Sequence, residues 1–479
     1  MFAFEASTPP RPPALERSRM TSEQVDVLLA TCIASFLPPF MSSSLNLAIP
    51  AIGVQFGASA VVVNWVVTSY LIASAAFLLP FGRLGDVVGR KRVFLTGMLA
   101  HAFFSIASGL ATSVASLIAF RVLQGIGGAM AFATSVAILT GAFPPEDRGR
   151  VLGVNSAAVY AGLSLGPVAG GLLTQHVGWR SIFFVNAVLG LVVAAVMMLR
   201  VKHEWRGSHG ESFDATGAAL YTVSLAALVG GFSTLKTFPA AHWPVLLGGT
   251  GLVAFAVREL RAAHPILDLR LFRNVVFAFS NVAALANYSS TFAVTFLLSL
   301  YLQTVRGLEP QTAGAILLAQ PVLMALLSPL AGRLSDRIEP RLVASLGMIL
   351  TSLALALFAR LGPSTPLLWV VAELMLIGIG FALFSSPNTN AVMSSISGRH
   401  YGVGAATLGT MRLVGQALSM AFVALVFAQF MGNARIGRET APLLIASSRF
   451  AFAFFALLCG AGTLASLARG RLRPHTVRK

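Results

Sequence analysis

The chain has 479 residues, 56% of them hydrophobic and only 11% charged, where an ordinary soluble domain carries roughly a quarter charged residues. That balance marks an integral membrane protein and excludes a water-soluble fold. The formal net charge of +17 does not point to nucleic acid, because Lys and Arg recur in short packets between apolar runs instead of covering one soluble face.

In chain order, "MFAFEASTPPRPPALERSRM" is Pro-rich and lacks an apolar stretch long enough for a signal peptide, so residues 1–24 read as a disordered tail. A helix needs about 20 mostly apolar residues to cross the hydrocarbon. Fourteen such runs follow, at 25–50, 61–81, 93–112, 115–140, 151–174, 180–200, 215–235, 243–260, 275–304, 311–331, 341–361, 366–392, 402–431 and 447–468. They are too long, and alternate too little, for barrel strands. An even count puts both termini on one side. The tail, the loops after even-numbered runs and the C-terminus hold 25 basic residues, whereas the opposite loops hold seven. The positive-inside rule therefore predicts a multi-pass plasma-membrane protein with both termini cytoplasmic.

Within "FGRLGDVVGRKR", Gly82, Arg83, Leu84 and Asp86 return 250 residues later as Gly332, Arg333, Leu334 and Asp336. This is an internal repeat. It predicts an all-α fold of 14 transmembrane helices: two six-helix bundles (25–200 and 275–468) related by a pseudo-two-fold, with two extra central helices in the 201–274 linker. A basic cytoplasmic tail (469–479) closes the chain. Parallel halves of this kind bind substrate near the midplane between them. Gly82, Gly85 and Gly89 are expected to shape a sharp turn, with Asp86 near the start of the third span, where the helix dipole favours a carboxylate.

Charges deep in the spans are Arg121, Glu373 and Arg412, each too costly to face lipid. Arg121 shares a helix face with Gln124, Gly125 and Gly128; Arg412 shares one with Gly415, Gln416 and Ser419. These join a first-span stripe (Ser35, Ser42, Asn46) and a ninth-span stripe (Asn281, Tyr288, Thr291, Thr295, Ser299), and the expected substrate cavity is Asn46, Arg121, Gln124, Asn281, Tyr288, Thr291, Thr295, Arg412 and Gln416. Interhelical hydrogen bonding is the alternative role for such polar stripes. Glu373 is the candidate proton carrier, the alternatives being that it snorkels to the outer interface or neutralises Arg412; His101 is a secondary candidate. Gly162, Gly166 and Gly170 form a groove for a neighbouring helix, and Pro167 bends their span. Cys32 and Cys459 lie in separate apolar runs and supply neither a metal site nor a disulfide framework. No cofactor or metal is expected.

The motifs "GRLGDVVGRK", "RVLQGIGGA" and "GLSLGPVAGG", with "LNLAIP" and "NWVVTSYLI" on the first two spans, resemble those of the major facilitator superfamily. Fourteen spans resemble its drug:proton antiporter branch. The resemblance implies a conformational latch at Gly82, Arg83, Asp86, Gly89, Arg90, Asp336 and Arg337. It also implies an occluding role for the Gly162, Gly166, Pro167 and Gly170 motif. Met41 stands where that branch commonly carries a first-span Asp, which leaves neutral and anionic amphipaths open beside cationic drugs. The resulting expectation is a monomeric secondary transporter exporting amphipathic small molecules against protons, in contact with a small-molecule substrate and membrane lipid. A metabolite importer or facilitator in the same fold is the alternative. A polytopic enzyme is disfavoured, since the loops carry no nucleotide loop, metal spacing or Ser/His/Asp grouping.

Overall fold

The computed structural model describes residues 20–207, 211–396 and 401–470. The first half comprises α1 (Ser22–Phe56), α2 (Ala60–Val88), α3 (Arg90–Gly109), α4 (Val114–Ala142), α5 (Pro145–His176) and α6 (Arg180–Leu199). The inserted pair is α7 (Ala215–Thr234) and α8 (His242–Glu259). The second half comprises α9 (Val275–Leu300), α10 (Pro310–Leu317), α11 (Ala319–Arg337), α12 (Pro340–Phe358), α13 (Leu367–Ser394), α14 (Tyr401–Phe430) and α15 (Ala441–Ala468). The helices match the fourteen expected spans, the tenth being α10 and α11 broken at Leu318. Pro321 explains the break, because its missing N–H leaves the Leu317 carbonyl without its helical donor. Among the described residues, thirteen segments are long and apolar enough to cross a membrane. Helix α3 has 20 residues but opens on Arg90, Lys91 and Arg92, and its neighbours α4 and α6 enclose it.

The chain enters α1 three residues earlier than expected. Thr21 accepts from the Gln24 amide, and the Gln24 side chain accepts from the Thr21 amide, closing a capping box. Residues 1–19 and 471–479 of the two expected tails lie outside the described residues. Both ends of the described chain and the α2–α3 turn lie at one end of the bundle, here the turn end; the other is the far end.

The halves meet along α2 and α14, α5 and α10, and α1 and α9. At the far end α1 and α9 are tied by side chains. Pro50 leaves the Asn46 carbonyl without its helical donor, and Ser299 Oγ from the other half donates to it at 2.6 Å. Gln303 Nε2 donates to Leu47 O at 3.2 Å, Gln175 Nε2 to Glu309 Oε2 at 2.8 Å, and Ala60 N to Ala434 O at 3.2 Å. Helix α5 packs closely on α10 but only loosely on α11. The halves are therefore sealed at the far end and diverge toward the turn end.

The inserted helix α7 lies against α2 and α14, one from each half, while α8 packs chiefly on α7. Tyr221 and Thr222 donate to the Ala75 and Ala76 carbonyls of α2. Asp214 caps α7 through the Gly217 amide at 2.9 Å and receives two bonds from Arg258 on α8. Arg258 holds the Asp214 carboxyl below its usual range.

Candidate substrate cavity and charged turn

A cavity opens between the halves, the junction at which helical bundles build their small-molecule sites. Of the nine residues expected to line it, Asn46, Tyr288, Thr291, Thr295, Arg412 and Gln416 do so. The first-span residues Ser35 and Ser42 join them, and Pro38 and Pro39 bend α1 along the wall. Tyr70, Phe132, Gln320 and Phe381 also line the cavity and escaped the sequence reading. Tyr70 sits inside "NWVVTSYLI", and Gln320 directly precedes the helix-breaking Pro321; both were available signals.

Arg121, Gln124 and Asn281 lie elsewhere. Arg121 is 1% exposed, donating from Nε to Val66 O at 2.9 Å and from Nη1 to Gln124 Oε1 at 2.5 Å. Gln124 passes the chain on to Ser105 Oγ at 2.5 Å. The reason is the packing of α4: an added Cβ at Gly125 would lie 2.6 Å from Tyr70 O, and one at Gly128 2.7 Å from the Tyr70 hydroxyl. These glycines press the Arg121 face onto α2; Gly128 on that face reaches the cavity wall, whereas Arg121, two turns nearer the far end, is covered by α2. Arg121 reaches the cavity wall only by packing behind Tyr70, whose ring centroid lies 4.3 Å from the guanidinium. Asn281 is two helical turns from Tyr288 toward the turn end, buried, and donates to Phe277 O. His101 is packed between Asn186 Oδ1 at 2.7 Å and Gln124 O at 3.3 Å.

Arg412 differs from Arg121 because it sits on the fifth helix of its half, which faces the other half. Its guanidinium lies 5.7 Å from the Tyr288 ring centroid, and Tyr288 is edge-on to Phe381 at 5.5 Å. Glu373 does not neutralise it. Glu373 lies seven residues from Gly380, whose added Cβ would meet Thr351 and Gly347 of α12, so its face of α13 turns toward α12. It is absent from the cavity wall, half-buried, and its Oε2 is buried with no hydrogen-bond partner.

The antiporter-like glycines are a backbone-to-backbone contact. Added Cβ atoms would approach Phe36 O to 2.5 Å at Gly162, Ser43 Cβ to 2.5 Å at Gly166 and Ser44 Cα to 2.4 Å at Gly170, all on α1. Ser44 Oγ then reaches Gly166 O at 2.9 Å. Pro167 lines the cavity, and its carbonyl receives Gly314 of α10 so closely that an added Cβ would lie 2.2 Å away.

The charged turn is tighter than expected. Helix α2 runs to Val88 and α3 starts at Arg90, so Gly89 alone makes the turn, at φ +130°. Gly82 and Gly85 are helical; Gly85 lets Thr134 of α4 approach. Asp86 accordingly ends α2 instead of starting α3, at the unfavourable end of a helix dipole. Arg90 offsets this, donating from Nε to Asp86 Oδ1 at 2.8 Å and from Nη1 to Ala137 O at 3.0 Å. In the second copy Ile338 and Glu339 make a turn with negative φ before Pro340, so no glycine is needed. Arg337 is exposed there; the Asp336 side chain lies outside the described residues.

In this state the first turn is held by the α6–α7 linker. Arg83 pairs with Glu211, Glu204 Oε1 accepts from Lys91 N at 2.8 Å, and Gly207 N donates to Asp86 O at 3.2 Å. A Cβ at Gly89 would lie 2.8 Å from the Glu204 carboxylate, which fills that space. Glu204→Ala is expected to quicken amide exchange over residues 201–207 by about tenfold, the share of one charge-assisted hydrogen bond. Unchanged exchange would show that the clasp is incidental.

Two helical halves closing over a central cavity, with an interrupted helix at its wall, define a secondary transporter. A model of the Major Facilitator Superfamily matches residues 31–420, and the chain belongs to that family. It is 31% identical to the riboflavin transporter RibZ of Clostridioides difficile (strain 630), over 88% of this chain and 92% of that one. It is 33% identical to the tetracenomycin C resistance and export protein of Streptomyces glaucescens, over 85% and 76% respectively. A solved bacterial homolog of the human lysosomal transporter Spinster superposes with a TM-score of 0.69 at 17% identity, covering 94% of this chain and 98% of that one. The protein is a transporter and not an enzyme.

Proposed function

We propose that the protein exports amphipathic small molecules by proton antiport, as a monomer in the plasma membrane. The observation that carries this reading is the central cavity, walled by both halves, sealed at the far end and flanked by helices that spread toward the turn end. The basic loops at the turn end support a cytoplasmic placement of that end, in which the cavity of this state takes its load from inside. A 33% identical relative bearing the name of an export protein supports the direction.

Arg412 is the one ionised residue on the described cavity wall, so substrate and proton do not compete for a shared acid there. Glu373 is the proton carrier in this scheme. Its carboxyl has a buried oxygen without a partner, and an unpaired ionisable group at membrane depth marks a functional site. The Asp86–Arg90 turn exchanges its linker contacts for the second half when the turn end closes.

Inverted vesicles acidified inside test the scheme. They are expected to accumulate a fluorescent amphipath, lose it on addition of a protonophore, and lose the gradient-driven part with Glu373→Gln. Accumulation indifferent to the protonophore overturns proton coupling; accumulation indifferent to Glu373→Gln overturns the assignment of the carrier.

A further inference from the structure

The two halves each set an arginine against a tyrosine on the cavity wall, but the two pairs are not chemically alike. Arg121, beneath Tyr70, spends its donors on Val66 O and Gln124 Oε1 inside its own half. Arg412, over Tyr288, lines the cavity itself. No carboxylate lies within ion-pair distance of it among the described residues, and no hydrogen bond from its guanidinium to a described residue is formed. A guanidinium is a fork of five donors matched to carboxylate-like oxygens, and in a mostly apolar enclosure an unmatched charge is costly. The wall around it holds no acid to answer it.

Two further groups are left open on the same wall. Asn46 is 3% exposed and Gln320 8% exposed, and the side-chain oxygens of both, Oδ1 and Oε1, are buried without a donor. The remaining surface offers flat faces: Tyr70, Phe132, Tyr288, Phe292 and Phe381. Donor fork, orphan acceptors and aromatic faces together describe a complementary ligand.

We propose that the cavity selects planar aromatic anions: Arg412 takes the negative group, Tyr288 and the facing rings stack on the aromatic plane, and Asn46 and Gln320 accept N–H or O–H donors. This rests on the transport reading above and sharpens it to a substrate class. The anion can be a carboxylate, phenolate or sulfonate, since each presents oxygens to the fork. Cationic amphipaths, which meet Arg412 with like charge and find no carboxylate on the wall, are disfavoured.

The test uses two xanthene dyes of similar shape and opposite charge, fluorescein and rhodamine 6G, titrated by fluorescence anisotropy against the full chain in nanodiscs of zwitterionic lipid. Fluorescein is expected to bind at least about tenfold more tightly, as one charge-assisted interaction requires. Arg412→Gln is expected to erase that preference, and Arg412→Lys to retain part of it. Equal or tighter binding of rhodamine 6G, absence of saturable fluorescein binding, or unchanged fluorescein affinity in a monodisperse Arg412→Gln protein each overturns the proposal. If Arg412→Gln fails to fold, the ratio for the unaltered protein decides alone. Failure of the transport reading looks different: fluorescein then binds selectively but is not moved in proteoliposomes, whereas preferred transport of rhodamine 6G sinks the selectivity and leaves export standing.

Discussion

Gly314→Val will force the far end of the cavity open. In the present state the Gly314 position lies so close to α5 that an added Cβ would sit 2.2 Å from Pro167 O and 3.0 Å from Pro167 C. Both are backbone atoms of a helix that is itself pressed against α1 at Gly162, Gly166 and Gly170, so neither wall can yield locally. The overpacking of about 1–3 kcal/mol falls only on the state in which α5 and α10 touch. A bias of that size shifts a two-state ratio by about 5- to 150-fold. Spin labels on Gln175→Cys and Glu309→Cys, whose parent side chains hydrogen-bond at 2.8 Å, will read the change as a longer distance population. Transport will fall with it. Gly230→Val is the control, since nothing lies within 4 Å of a Cβ there. A distance distribution in Gly314→Val identical to the parent's would refute the account of the far-end seal.

Arg121→Ala will damage the first half and the cavity together. It removes the donors to Val66 O and Gln124 Oε1, and Gln124 is in turn the donor to Ser105 in a chain that reaches Asn186 and His101. Leaving those buried acceptors unanswered costs about 2–3 kcal/mol, and Tyr70 loses the cation behind its ring. Thermal unfolding, followed by reaction of a thiol dye with buried Cys459, is expected to show a Tm lower by about 2–3 °C. Arg121→Lys will not rescue it, because a compact ammonium cannot reproduce the fork that reaches Val66 O and Gln124 at once. A parental Tm in Arg121→Ala would show that the network carries no net stability.

The two arginines illustrate how far a sequence can be read toward a site. Both stand out as charges in apolar runs, each with an amide three or four residues on, and the string alone gives them equal claims on the cavity. They differ because Arg121 lies on the fourth helix of its half, which packs on the second and third helices, whereas Arg412 lies on the fifth, which faces the other half. Glu373 shares the fate of Arg121, its fourth helix turning that face to α12. The ninth-span stripe divides for a related reason: Tyr288, Thr291 and Thr295 reach the cavity, while Asn281, on the same face, lies below it. Periodicity assigns a side chain to a face and is silent on which neighbour the face meets.

The charged turn shows the same limit at closer range. The repeat at Gly82 and Gly332 marks the two-fold plan, yet only Gly89 has a backbone that needs glycine, and the partners Glu204 and Glu211 come from a linker more than a hundred residues away. Helix count, the order of the two halves and the inserted pair follow from the sequence itself, because run length and the scarcity of charge are local properties that the hydrocarbon tests one segment at a time. Which arginine is spent and which is open, where the acid sits, and which end is sealed were decided only by the tertiary structure. Those outcomes depend on the contact of one helix with another, set by the glycines and prolines at their crossings, and no single segment contains that information.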